Sequence, residues 1–85
     1  MKYISFWEFR PEDAEKVAEK WKRRKHRLKT LFPPHSIGGE TKGFTIFESD
    51  DEDEIIKYIL HYIPEMKIKV IPIFDSSNAV GLMEK

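Results

Sequence analysis

Residues 2–9 alternate between two sets, Tyr3, Ser5, Trp7 and Phe9 against Ile4, Phe6 and Glu8, which is the period of a β-strand covered on both faces. The period then changes. Pro11 suits a first helical position and Glu12 and Asp13 suit a first turn. Ala14, Val17, Ala18, Trp21 and Leu28 follow at helical spacing, which predicts a first helix from about Pro11 to about Lys29. Pro33-Pro34 cannot continue it and forces Phe32 to be extended. A short second strand is expected over His35 to Gly39, then a glycine-rich hairpin turn and a third strand over Phe44 to Glu48. Ile55, Ile56, Ile59, Leu60 and Ile63 mark a second helix that starts at about Asp50 and ends at Pro64. Its cap is Ser49 with Glu52, or Asp50 with Asp53. The last strand, Met66 to Phe74, sets Met66, Ile68, Val70 and Pro72 against Lys67, Lys69, Ile71 and Ile73, and its proline implies a sheet edge. A short tail helix capped by Asp75 or Ser76 carries Ala79, Val80, Leu82 and Met83, with Gly81 weakening it.

The order is βαββαβ in one domain, residues 1–85. Its economical arrangement is an α+β, ferredoxin-like fold: a four-stranded antiparallel sheet in the order 4-1-3-2, with both helices on one face. Ile4, Phe6, Phe44, Ile46, Ile68 and Val70 are the all-apolar set expected beneath the helices. That leaves Tyr3, Ser5, Trp7, Thr45, Phe47, Ile71 and Ile73, with Lys67 and Lys69, on the other face. A soluble monomer does not leave so much apolar surface in water. Three occupants compete for it: a second copy of the chain, a small ligand, and single-stranded nucleic acid. Tyr3, Trp7 and Phe47 read first as the core of an interface, because aromatic side chains anchor interfaces generally. Two sheets face to face would still enclose a barrel with room for a pocket on each side.

Charge narrows the choice. Basic and acidic residues balance at 15 each, so any electrostatic function is local. The absence of cysteine excludes disulfides, thiolate chemistry and sulfur-ligated zinc, and it fits a reducing cytoplasm. The first residues meet a charge too early for a signal-peptide core, and no apolar run approaches the roughly 20 residues a bilayer needs. A soluble cytoplasmic protein with no membrane association is expected.

Four features carry candidate chemistry. The acidic run Glu48 to Glu54 offers ligands for a hard cation, but it lacks the glycine and spacing of a calcium loop. It lies where a helix macrodipole favours negative charge, so it reads as a solvated helix start and no metal site is expected. The basic stretch Lys20 to Lys29 could grip phosphates, and it reads first as an exposed helical face. Lys42-Gly43-Phe44 begins like the strand-three signature of RNA-recognition motifs. The match then fails at Thr45, Ile46 and Ser49, and it would need Phe44 exposed and Phe47 buried, the reverse of the faces assigned above. Nucleic acid is therefore the third reading. His26, His35 and His61 have no metal-ligand spacing, and His26 and His61 read as solvated. His35, at the start of a strand bordering the barrel, is the one candidate general base. An enzymatic reading would use it on a small apolar substrate near Tyr3, Trp7 and Phe47, with no cofactor.

The string from Tyr3 to Arg10, the run from Phe44 to Asp51, and the close from Lys67 to Asp75 resemble a family of short prokaryotic proteins of unknown function. That family belongs to the dimeric α/β-barrel superfamily of the ferredoxin-like fold. The resemblance spans the chain, departing at Pro33-Pro34 and Gly38-Gly39, where the second strand is shorter and richer in proline. It implies a homodimer and implies no reaction.

Overall fold

The computed structural model describes residues 1–25 and 27–84. His26, expected to be solvated, lies outside them. Strand β1 (Lys2–Phe9) leads through a 3₁₀ turn (Pro11–Asp13) into helix α1 (Ala14–Lys22). Then come β2 (Lys29–Ser36), β3 (Lys42–Glu48), α2 (Glu52–Tyr62), β4 (Met66–Ile73) and α3 (Ser76–Met83). The four strands form one antiparallel sheet in the order β2-β3-β1-β4, the ferredoxin-like arrangement expected from the element order. Pro72 lies on the edge strand β4, where its missing N–H costs no ladder bond.

Helix α1 is shorter than its periodicity suggests. Between Trp21 and Leu28 the chain reads Lys-Arg-Arg-Lys-His-Arg, so the positions that would continue the apolar stripe hold cations that repel one another. With nothing to bury, the helix stops at Lys22 and the chain re-enters the sheet at Lys29, six residues before the expected start of the second strand. Pro33 and Pro34 therefore sit inside β2. An edge strand tolerates them because its register shifts there, between Thr30 and Phe32 and again between Phe32 and His35.

Helix α2 begins at Glu52 rather than Asp50, and its cap is Asp51, whose carboxylate accepts from the Asp53 N–H at 3.0 Å. Its covered stripe is Ile55, Tyr58, Ile59 and Tyr62, with both tyrosines buried. Ile56, Leu60 and Ile63, expected on that stripe, lie off it and are exposed. The tail helix α3 is capped by Asp75, which accepts from the Ser77 N–H at 2.8 Å, and it buries none of its residues.

The sheet faces are reversed on two strands. Ser5, Thr45 and Phe47, expected on the open face, are all buried, Ser5 completely and Phe47 to 1% exposure. Tyr3, Trp7 and Phe9 pack against the same core, while Ile4, Phe6, Phe44 and Ile46 turn to the open side. On β4 the expected division holds, with Ile68 and Val70 packed on the core and Lys67, Lys69, Ile71 and Ile73 opposite. The physical reason is volume. Ser5, Gly43 and Thr45 are small, and they leave room for the Tyr58 and Tyr62 rings, which an all-aliphatic inner face could not accept at native density.

Candidate functional site: an apolar cleft under the first helix

The covered face is not uniformly filled. Phe47 lies at the middle of its packing, with its ring 5.8 Å from Tyr58 in an edge-on contact and 5.5 Å from Tyr3 in a stacked one. Tyr58 stands edge-on to Tyr62 at 5.8 Å. The Tyr58 and Ser5 hydroxyls share a buried hydrogen bond of 2.7 Å. The Thr45 hydroxyl donates to the Phe32 carbonyl at 2.7 Å, satisfying a backbone group where β2 bulges. Helix α2 is thereby fixed to the sheet by aromatic packing and a buried polar pair.

Helix α1 covers its half of the sheet more sparingly. Its inner residues Ala14, Val17 and Ala18 are short, and over Trp7, Thr45 and Phe47 they leave a cleft of about 610 Å³. Tyr58, Tyr62 and Met66 line its α2 side, and Thr30, Pro33 and Pro34 close the β2 side. The volume lies within the roughly 300–1,000 Å³ of small-molecule sites, and an aromatic lining with a few polar groups is typical of them.

At the rim, Trp21 is half exposed and carries the Arg24 guanidinium 4.4 Å above its ring. Arg24 Nη1 donates to the Trp21 carbonyl at 2.7 Å, and both side chains line the cleft. Burial pushes the Tyr62 hydroxyl up to about 12, Tyr58 adds to that shift, and the nearby Arg24 charge opposes it. Burial likewise raises Tyr58, against the pull of its bond to Ser5. Both phenols stay protonated near neutrality.

The two helices are tied together beside the cleft. Lys20 Nζ donates to Glu65 and, at 2.9 Å, to the Ile63 carbonyl. The lysine's hydrogen bond and charge hold the Glu65 carboxyl below the usual range. His61, expected in solvent, is half-buried, and its Nε2 meets the Lys20 carbonyl at 2.5 Å. The Arg27 N–H donates to Glu54 at 2.7 Å, linking the basic segment to the acidic start of α2 within one chain. Asp50 pairs with the N-terminal amine at 2.8 Å. The acidic run is thus spent on a cap, a terminus and a loop. Among the described residues no group of three or more His, Asp or Glu side chains could hold a metal ion.

The structure divides the residues singled out in the sequence. Trp7, Thr45 and Phe47 come together around the cleft, and Tyr3 packs beside Phe47. Ile71 and Ile73 are on the opposite face of the sheet, and so is His35, which pairs across from Phe44. The His35 ring stacks on Phe32 at 4.4 Å, with Nδ1 at 2.6 Å from the Pro33 carbonyl. Phe32 also stacks on Phe44, so an aromatic row runs along the open side. A smaller hollow of about 250 Å³ on that side is lined by Phe6, Glu8, Ile37, Lys42, Lys67 and Lys69. Of the cleft lining the sequence points to Trp7, Thr45 and Phe47 and misses the rest, Trp21, Arg24, Tyr58 and Tyr62 among them. The available signals are the three-residue spacing of Trp21 and Arg24 and the four-residue spacing of the two tyrosines.

Comparison with known proteins supplies a family without a function. The chain belongs to the family described as a domain of unknown function, DUF3303, whose model matches residues 1–85. No curated protein matches. Among solved structures, a de novo designed protein, Foldit4, is similar at a TM-score of 0.38 and 17% identity, over 86% of this chain and 96% of that one.

Proposed function

We propose that this protein is a cytoplasmic binding protein for a small apolar molecule, held in the cleft between α1 and the sheet, and that it works as a homodimer of the dimeric α/β-barrel kind. One observation carries the binding reading: a cleft of about 610 Å³ walled by Trp7, Phe47, Tyr58 and Tyr62 and roofed by alanines. A roof that only had to pack would be expected to carry longer side chains, because protein interiors leave few voids larger than a water molecule. His35 stands on the other side of the sheet, so a cofactor-free reaction in the cleft would run without it.

Titration with a neutral aromatic probe, naphthalene-2-carboxamide, tests the reading through the emission of Trp7 and Trp21. Saturable quenching is expected, and Ala18→Phe, which fills the cleft from an exposed helical position, should abolish it. An unsaturable response, or one unaffected by Ala18→Phe, overturns the proposal.

The homodimer rests on the open face, where Ile4, Phe6, Phe32, Phe44, Ile46, Ile71 and Ile73 lie together. A second reading of this surface has one observation in its favour. Phe44 points outward and Phe47 inward, the orientation that stacking of single-stranded RNA would need, and Lys42, Lys67 and Lys69 stand nearby. The same surface cannot serve both partners at once. Four isoleucines, which stack no base, favour a second copy.

A further inference from the structure

The cleft has a charged group at its rim that an apolar molecule alone does not use. We propose that its ligand is an apolar monocarboxylic acid, with an aromatic or aliphatic body between α1 and the sheet and a carboxylate held by the Arg24 guanidinium. The inference rests on the reading of the cleft as a binding site.

Among the described residues the Arg24 guanidinium makes one hydrogen bond, from Nη1 to the Trp21 carbonyl, although it carries five N–H donors. Two carboxylates that bond the same basic segment are engaged elsewhere. Glu54 accepts from the Arg27 N–H and from Lys57 at 3.2 Å, and Glu65 is paired with Lys20. Among the described residues Arg24 has no carboxylate partner. Stacking on Trp21 limits the orientations of the guanidinium, which lowers the cost of ordering it around a planar anion.

The surroundings agree in sign. From Lys20 to Lys29 the chain carries seven lysines and arginines and no acidic residue. Of these, Arg24 lines the cleft, which places a local positive charge at its rim in a molecule with no net charge. The field reaches inward, since Arg24 acts to lower the pKa of Tyr62 against the effect of burial. Deeper in, the lining is apolar and aromatic, with the Ser5 and Tyr58 hydroxyls bonded to each other. Such a wall accepts hydrocarbon and penalises a second charge. One anionic group at the rim and an apolar remainder is the chemistry that meets both conditions.

Naphthalene-2-carboxylate and naphthalene-2-carboxamide, which share a ring system and differ in charge, separate the two levels of the argument. At pH 7 and low salt the carboxylate should bind the intact protein roughly tenfold more tightly than the amide, the scale of one charge-assisted hydrogen-bonded pair. Arg24→Gln, at an exposed position, should erase that preference so that the two probes bind alike, whereas Arg24→Lys should retain part of it. Equal affinities in the wild type would overturn the carboxylate assignment and leave the cleft standing. A preference that survives Arg24→Gln would overturn the role of Arg24. Binding of neither probe would remove the cleft reading and this inference together.

Discussion

Ser5 and Tyr58 show what a small polar residue does on the covered face of this sheet. Their hydroxyls meet at 2.7 Å in the buried core, so each oxygen has a partner across 53 positions of sequence. Removing one hydroxyl takes this hydrogen bond from the other, a net loss of about 0.5–1.5 kcal/mol, whereas removing both costs less than the sum of the single changes. Urea denaturation of Ser5→Ala, Tyr58→Phe and the double variant should therefore give a coupling energy of about 1 kcal/mol. Strict additivity would show that the pair stabilises nothing. Such a pairing is hard to read from the sequence. The alternation of β1 and β3 is plain, but the choice between Ile4 and Phe6 or Tyr3, Ser5 and Trp7 as the inner set depends on what α2 brings down. Hydrophobicity favours the aliphatic set. Tyr58 and Tyr62 need the small one, and their demand decides the face.

At the scale of elements, strand boundaries follow charge and backbone more than apolar period. α1 stops where cations replace its stripe, and β2 absorbs two prolines because an edge strand can bulge. The strand order and the edge position of Pro72 were legible because they depend only on how many elements there are and how connections can run. The cleft was not legible, because it arises from an early helix end and from alanines whose opposite wall the sequence does not specify. Gly43 shows how closely the strands are fitted. It is buried in β3, and a Cβ there would collide with the His35 carbonyl on one neighbouring strand and the Trp7 ring on the other. A carbonyl in a paired strand cannot yield as a side-chain tip can. Gly43→Ala should cost at least about 1–3 kcal/mol and lower the urea midpoint, although alanine is otherwise the mildest replacement. A midpoint equal to wild type would mean that β2 does not lie against β3 in this register.

For the whole molecule the question is what covers the open face. Four strands at about 4.8 Å spacing and eight residues at about 3.4 Å rise give a face of roughly 500 Å², the size of the largest, often functional patch on a typical monomer, about 300–600 Å². Two such faces pressed together bury about 1,000 Å², near the lower limit for a stable pair. The long axis of the subunit, 52 Å, exceeds the length of any strand, and Phe74, two residues ahead of α3, is exposed together with Val80, Leu82 and Met83 of that helix. If those side chains pack on the partner, they supply area that the sheets alone lack. Sedimentation at micromolar concentration should then give a dimer, and the paired change Phe6→Glu with Ile46→Glu should give a folded monomer. Because the cleft lies on the other side of the sheet, that monomer should still bind the naphthalene probes. Truncation after Phe74 should weaken the dimer without lowering the stability of the subunit, since α3 buries nothing in its own chain. A wild-type protein that sediments as a monomer would end the facing-sheet proposal. Salt-dependent binding of single-stranded RNA by that monomer would assign the aromatic row of Phe32, His35 and Phe44 to nucleic acid instead.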